Sequence, residues 1–167
     1  MPQSQPNRHS LVLRLLLAAA KGSIVVISVL MVAVTLAQVI FRYVLEDPLP
    51  WSEELARYCF VWIVFLGGAI GLERGIHLGV DLFVNLLPPK LRTGLDILSN
   101  ALIGCFAAAV VYASYPVINM NMLQHSPAMG VQMAWIYIAI PTSMVLIVII
   151  IIERIAGIVL GSAKQEV

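Results

Sequence analysis

Residues 50–72 read P-W-S-E-E-L-A-R-Y-C-F-V-W-I-V-F-L-G-G-A-I-G-L, a charged mouth that gives way to an apolar run with no Asp, Glu, Lys, Arg or His beyond Arg57. The apolar part, 55–72, is one of four such stretches, the others being 22–41, 95–115 and 134–152. As helices each would extend roughly 27–32 Å at about 1.5 Å per residue, which matches a hydrocarbon core of about 30 Å. Hydrophobic residues make up 60% of the 167 and charged ones 11%, against about 45–50% and about 25% in soluble domains. A chain this short cannot bury so much apolar surface in water. The expected fold is therefore an all-α membrane protein, a single integral-membrane domain over 1–167 with four transmembrane helices.

The formal net charge is +1, so charge gives no reason to expect nucleic-acid binding. Both cysteines, Cys59 and Cys105, lie inside apolar runs, where Cys acts as a small hydrophobe. Arg8, Arg14 and the following L-L-L-A-A-A imitate a secretion signal, but the second apolar run after Lys21 is too long for a signal core. An uncleaved first helix is expected. Lys and Arg then fall eight on one side (Arg8, Arg14, Lys21, Arg74, Lys90, Arg92, Arg154, Lys164) and two on the other (Arg42, Arg57). The positive-inside bias places both termini in the cytoplasm, N-in and C-in.

Two connections carry more than loop chemistry. In 76–87, Val80, Phe83, Val84 and Leu87 recur at i, i+3, i+4 and i+7 before the stop at Pro88-Pro89. Too short to span, this stretch predicts an interfacial amphipathic helix between spans two and three. It would lie along the membrane lipid or against a partner subunit, and its lack of a basic face favours protein. The opposite connection, 116–133, is uncharged and holds four of the seven methionines together with S-P-A-M-G at 126–130. It reads either as an adaptable contact site or as a segment tucked among headgroups.

Around the mouth of span two, Glu53 and Glu54 stand four and three residues before Arg57, spacings that pair side chains on one helix. Ser52 is placed to cap that helix, and Arg42 ends the preceding span at a similar depth. Arg42, Glu53, Glu54 and Arg57 are thus expected to neutralise one another at the outer interface, as structural groups or as a partner contact. The span centres contain no Asp, Glu, Lys, Arg or His, whereas ion and proton paths use such groups or broken helices. Gln38 and Asn100 read as makers of hydrogen bonds between helices. Gly67, Gly71, Gly75 and Gly79, and likewise Gly104 with Ala108, carry the small-residue spacing that lets helices approach closely. Pro141 hints at a kink in span four. His77 and His125 fall on opposite sides of the expected topology, and His9 is in a polar tail, so paired haem ligation on facing helices is disfavoured. There is no phosphate-cradling G-x-x-x-x-G-K-[ST], no metal-ligand spacing and no nucleophile-plus-base arrangement. An enzyme is not expected, nor a cofactor bound by this chain.

Several motifs together resemble the small membrane subunit, or small permease, of tripartite ATP-independent periplasmic (TRAP) transporters. They are F-R-Y at 41–43, W-S-E-E-L-A-R-Y at 51–58, F-L-G-G-A at 65–69, H-L-G-V-D at 77–81, P-P-K-L-R at 88–92, and S-P-A-M-G followed by W-I-Y-I-A-I-P at 135–141. Residues 1–20 and 155–167 match nothing distinctive. The resemblance implies a bacterial inner-membrane importer in three parts: a periplasmic solute-binding protein, a large multi-spanning subunit that carries the solute on a sodium gradient, and this small subunit bracing the large one as scaffold. It implies an organic solute, mostly a carboxylate in this family, chosen by the other subunits. Candidate contacts with the large subunit are His77, Asp81, Phe83, Val84 and Leu87; candidate outer-loop contacts are Ser126, Pro127 and Met129. The competing readings are a membrane anchor for a haem or quinone enzyme and an autonomous small exporter.

Overall fold

The computed structural model describes residues 10–74 and 89–163. The expected helix over 76–87 and its candidate contacts His77, Asp81, Phe83, Val84 and Leu87, with Gly75 and Gly79, lie outside the described residues. Helices α1 (Leu11–Tyr43), α2 (Pro50–Glu73) and α3 (Pro89–Asn121) are followed by a one-turn α4 (Ala134–Tyr137) and by α5 (Ala139–Ala163). Four helical segments are long and apolar enough to cross a membrane.

The helices begin and end where local chemistry directs. Ser10 caps α1, its Oγ accepting the Leu13 amide at 3.2 Å, so the helix starts well before residue 22 and runs for 33 residues. α2 begins at Pro50 rather than at 55, because a first-turn proline lacks only an amide that would have had no helical partner. Ser52 consequently sits inside the helix; fully buried, it donates its hydroxyl to the Leu49 carbonyl at 2.7 Å instead of capping. α3 continues through Pro116 to Asn121, past the expected end of span three at 115. Pro141 has no amide to offer Tyr137, and the helix is interrupted at Ile138 between α4 and α5. That interruption falls near the start of the fourth span, so its centre stays helical.

Packing follows a simple order. α1 lies on α2, α2 on α5 and α5 on α3, so the two flanking helices α1 and α3 are joined chiefly through the pair between them. On α1 the covered positions include Leu13, Leu17, Ala20, Ile24, Ile27, Met31, Val34, Gln38 and Phe41, with half-buried Lys21, Ser28 and Ala37 flanking them. The steps alternate four and three, a 3.5-residue period that keeps one seam against a neighbour along a shallow left-handed crossing. Leu13, Leu17 and Ala20 join Leu66, Ala69 and Ile70 of α2 and Leu146 and Ile150 of α5 in a buried cluster. On the other side, a Cβ added to Gly104 of α3 would meet Ile151 Cγ2 of α5 at 3.1 Å. This is a close approach that glycine makes easy. Lipid tails are as apolar as leucine, so apolar burial adds little drive to helix association and tight packing with polar ties must supply it. The ties stand at the two ends.

Candidate functional site

At the end carrying the 44–49 and 122–133 connections, Ser126-Pro127-Ala128-Met129-Gly130 folds into a single tight turn. Gly130 closes it at φ +65 and donates its amide to the Ser126 carbonyl at 3.1 Å. The Val131 amide donates to Ser126 Oγ at 3.1 Å, and Ser126 returns its own amide to the Val131 carbonyl at 2.8 Å. His125 and Gln132 form an antiparallel bridge below. As in the first turn of any helix, the amides after proline find no carbonyl within the turn. Those two, Ala128 and Met129, point at Glu54.

Glu54 Oε2 accepts the Met129 amide at 2.9 Å and the Ala128 amide at 3.1 Å. Its Oε1 accepts the Tyr58 hydroxyl, one helical turn along α2, and that hydroxyl also lies 3.5 Å from Met133 Sδ. Three donors converging on one carboxyl group suit the ionised form, which only accepts. Hydrogen bonds to a charged group are stronger than those between neutral ones, so this tether fixes the turn on α2.

The neighbouring acid faces elsewhere. Glu53 Oε1 accepts from Arg42 Nη2 at 2.8 Å and from Gln38 Nε2 at 3.0 Å, tying α2 to α1. Both side chains of the pair are about half exposed, 49% and 52%, and an ion pair so placed is worth about 0.2–1 kcal/mol. The expected four-member cluster is therefore divided. Glu53 pairs with Arg42, Glu54 holds the turn, and among the described residues Arg57 makes no hydrogen bond or ion pair and stays exposed. Ser126 is only 4% exposed and organises the turn from inside, leaving Pro127 and half-buried Met129 nearer the surface.

At the opposite end, two adjacent residues of α5 reach the three other long helices. Glu153 accepts the Ser10 amide at 3.2 Å and the Ser10 hydroxyl, holding the start of α1. Arg154 donates to the Leu72 carbonyl at 3.5 Å, near the end of α2, and to Asn100 Oδ1 of α3 at 3.4 Å. Asn100 in turn donates to the Asp96 carbonyl at 2.6 Å. Lys21 of α1 stands 3.9 Å from Glu73 of α2. A cation at a helix C-terminus meets free carbonyls and the negative end of the helix dipole, which is why Arg154 lodges there.

The proposed small-residue contacts are unevenly realised. Gly104 packs on α5, whereas Gly67 and Gly71 meet nothing within 4 Å of an added Cβ. Ala107, not Ala108, is the buried alanine of that part of α3. Sequence reading passed over Tyr58, Ala128, Ser10, Glu153 and Arg154. The Glu54-to-Tyr58 spacing of four and the proline-led turn could have signalled the first two.

A protein-family model matches residues 31–161, the DctQ component of tripartite ATP-independent periplasmic transporters. The chain belongs to this family. It is 29% identical over 125 residues to the sialic acid TRAP transporter small permease protein SiaQ of Vibrio cholerae serotype O1, covering 75% of this chain and 72% of that one. With a putative TRAP transporter small permease protein of Haemophilus influenzae it shares 25% identity over 138 residues, 83% and 86% of the two chains. A third relative is longer: the sialic acid TRAP transporter permease protein SiaT of H. influenzae, 27% identical over 113 residues, which are 68% of this chain and only 18% of SiaT. The family match holds the Glu54 tether and the Glu153-Arg154 pair alike. As a DctQ-component chain with four helices suited to spanning a membrane, it is a multi-pass inner-membrane subunit of a transporter.

Proposed function

We propose that this chain is the non-catalytic scaffold subunit of a TRAP-type importer, bracing a large multi-spanning permease while a periplasmic binding protein delivers the solute. The observation that carries the scaffold role is the pair of polar ties at opposite ends of the helices. Glu54 fastens the 126–130 turn to α2, and Glu153 with Arg154 joins α5 to α1, α2 and α3. Four helices fastened at both ends make a rigid unit suited to being pushed against, not one that opens and closes.

In this reading both termini face the cytoplasm, the turn held by Glu54 faces the periplasm, and Pro127 and Met129 lie on the side from which the binding protein arrives. The solute is a small organic acid, a carboxylate like the sialic acid named for two of the relatives. A sodium gradient drives uptake through the large subunit. The deciding experiment is purification of the tagged chain from native membranes in mild detergent, with its companions identified by mass spectrometry. A stoichiometric large permease is expected; soluble redox subunits in its place would overturn the reading. Uptake assayed with Glu54→Ala should fall without any change in which solute is preferred.

A further inference from the structure

We propose that one face of α2, from Arg57 to Gly71, is the docking face for a membrane-spanning helix of the large permease, a refinement that rests on the transporter reading above. Arg57, Val64, Gly68 and Gly71 stand at i, i+7, i+11 and i+14, within about 60° of arc on a helix of about 3.6 residues per turn. None of them is needed inside this chain. Val64 and Arg57 are exposed, and nothing lies within 4 Å of a Cβ built at either glycine. Toward its glycine end the face opens into an apolar groove of about 440 Å³, where Phe106 and Ala107 of α3 and Met144 and Ile147 of α5 join Gly68 and Gly71.

The occupant is argued from charge and from chain continuity. Arg57 begins the apolar run and, among the described residues, has no ion-pair partner. A cation at the edge of hydrocarbon is stabilised by an acid brought on a neighbouring helix. Bare glycine backbone gains nothing from lipid tails and much from a second helix backbone, which can come closer there than beside a larger side chain. Much of the exposed surface of α1 and α3 differs: at Val25, Val29, Leu36, Leu98 and Leu102 it shows bulky aliphatic side chains, which lipid chains cover equally well, and the open glycines Gly22 and Gly94 there stand singly, without the paired spacing of Gly68 and Gly71. Continuity supplies the partner. In SiaT the stretch similar to this chain is 18% of a much longer permease protein, so permease sequence is covalently held beside this fold. The docked helix would run along α2 for roughly 21 Å from Arg57 to Gly71, at about 1.5 Å per residue, and carry an acidic side chain level with Arg57.

The test uses the tagged complex in native membranes. A benzophenone amino acid replacing Val64 is expected to give a light-dependent adduct with the large permease, and the same group replacing Val29 on α1 to give none. Gly68→Leu, whose Cβ meets nothing within 4 Å in this chain, should lower the amount of co-purifying permease at least tenfold, and Val29→Phe should leave it unchanged. Adducts of two copies of this chain, adducts with lipid alone, or permease adducts from position 29 and not 64 would overturn the assignment, as would full retention of the permease by Gly68→Leu. If the unaltered chain brings down no large permease, the transporter reading itself fails, and the docking face with it.

Discussion

Glu54 and Met129 stand 75 residues apart in sequence, yet the Met129 amide donates to the Glu54 carboxylate at 2.9 Å. The contact joins the first turns of the second span to the connection between the third and fourth. It uses the chemistry of a helix start, free amides after a proline, but the acceptor comes from another helix.

Removing that acceptor should loosen the turn while sparing the rest. With Glu54→Ala the Ala128 and Met129 amides lose their partner. Hydrogen exchange at those two amides should accelerate at least tenfold, with little change for amides in the middle of α5. Glu54→Gln, which keeps one acceptor oxygen, should fall between. Unchanged exchange in Glu54→Ala would remove the tether from the account.

Gly130 holds φ +65 with open space around it. Alanine there is penalised by backbone conformation alone, about 1–2 kcal/mol. Thermal unfolding in detergent should show Gly130→Ala less stable than the parent, and Gly130→Asn closer to it, since Asn tolerates this region better.

The glycines of α2 and α3 should respond in opposite directions. Gly104→Val forces a side chain against Ile151 and should destabilise the isolated chain by about 1–3 kcal/mol. Gly67→Ala enters free space and should stabilise it by about 0.5–1 kcal/mol, through helix propensity. Melting temperatures of the two purified variants decide this; equal shifts of the same sign would contradict the packing described.

At the other end, Arg154→Ala should weaken the union of α5 with α2 and α3. An expected loss of about 1–3 kcal/mol follows from leaving the Leu72 carbonyl and Asn100 without this donor. Arg154→Lys should rescue only part, because a single ammonium cannot reproduce the guanidinium fork. Arg42→Ala provides the contrast: its half-exposed pair with Glu53 should be worth no more than about 1 kcal/mol.

The four spans were legible because a bilayer demands long apolar runs and little else in this chain is polar. Their ends were not. Ser10 and Pro50 start helices five or more residues before the apolar runs, and Pro116 fails to stop α3, since hydropathy marks what lipid accepts rather than where a helix terminates. Glu53 and Glu54 stand out in the sequence as chemistry-bearing positions, but spacing along one helix points both toward Arg57. Successive residues on a helix diverge by about 100°, and their partners lie on α1 and on a turn distant in sequence. A local pattern can mark the free amides of a proline-led turn, but not which distant acid they meet. The same blindness hides Glu153 and Arg154, a charged pair at the edge of an apolar run that reads as ordinary punctuation until three other helices converge on it.

The order of packing has a consequence for synthesis. α3 is made before α5 but meets the rest of the molecule chiefly through it. A nascent chain therefore holds a finished α1–α2 hairpin and a solitary third helix in the bilayer until α5 leaves the ribosome. Insertion of α5 is then the event that joins the α1–α2 hairpin and the third helix into one body.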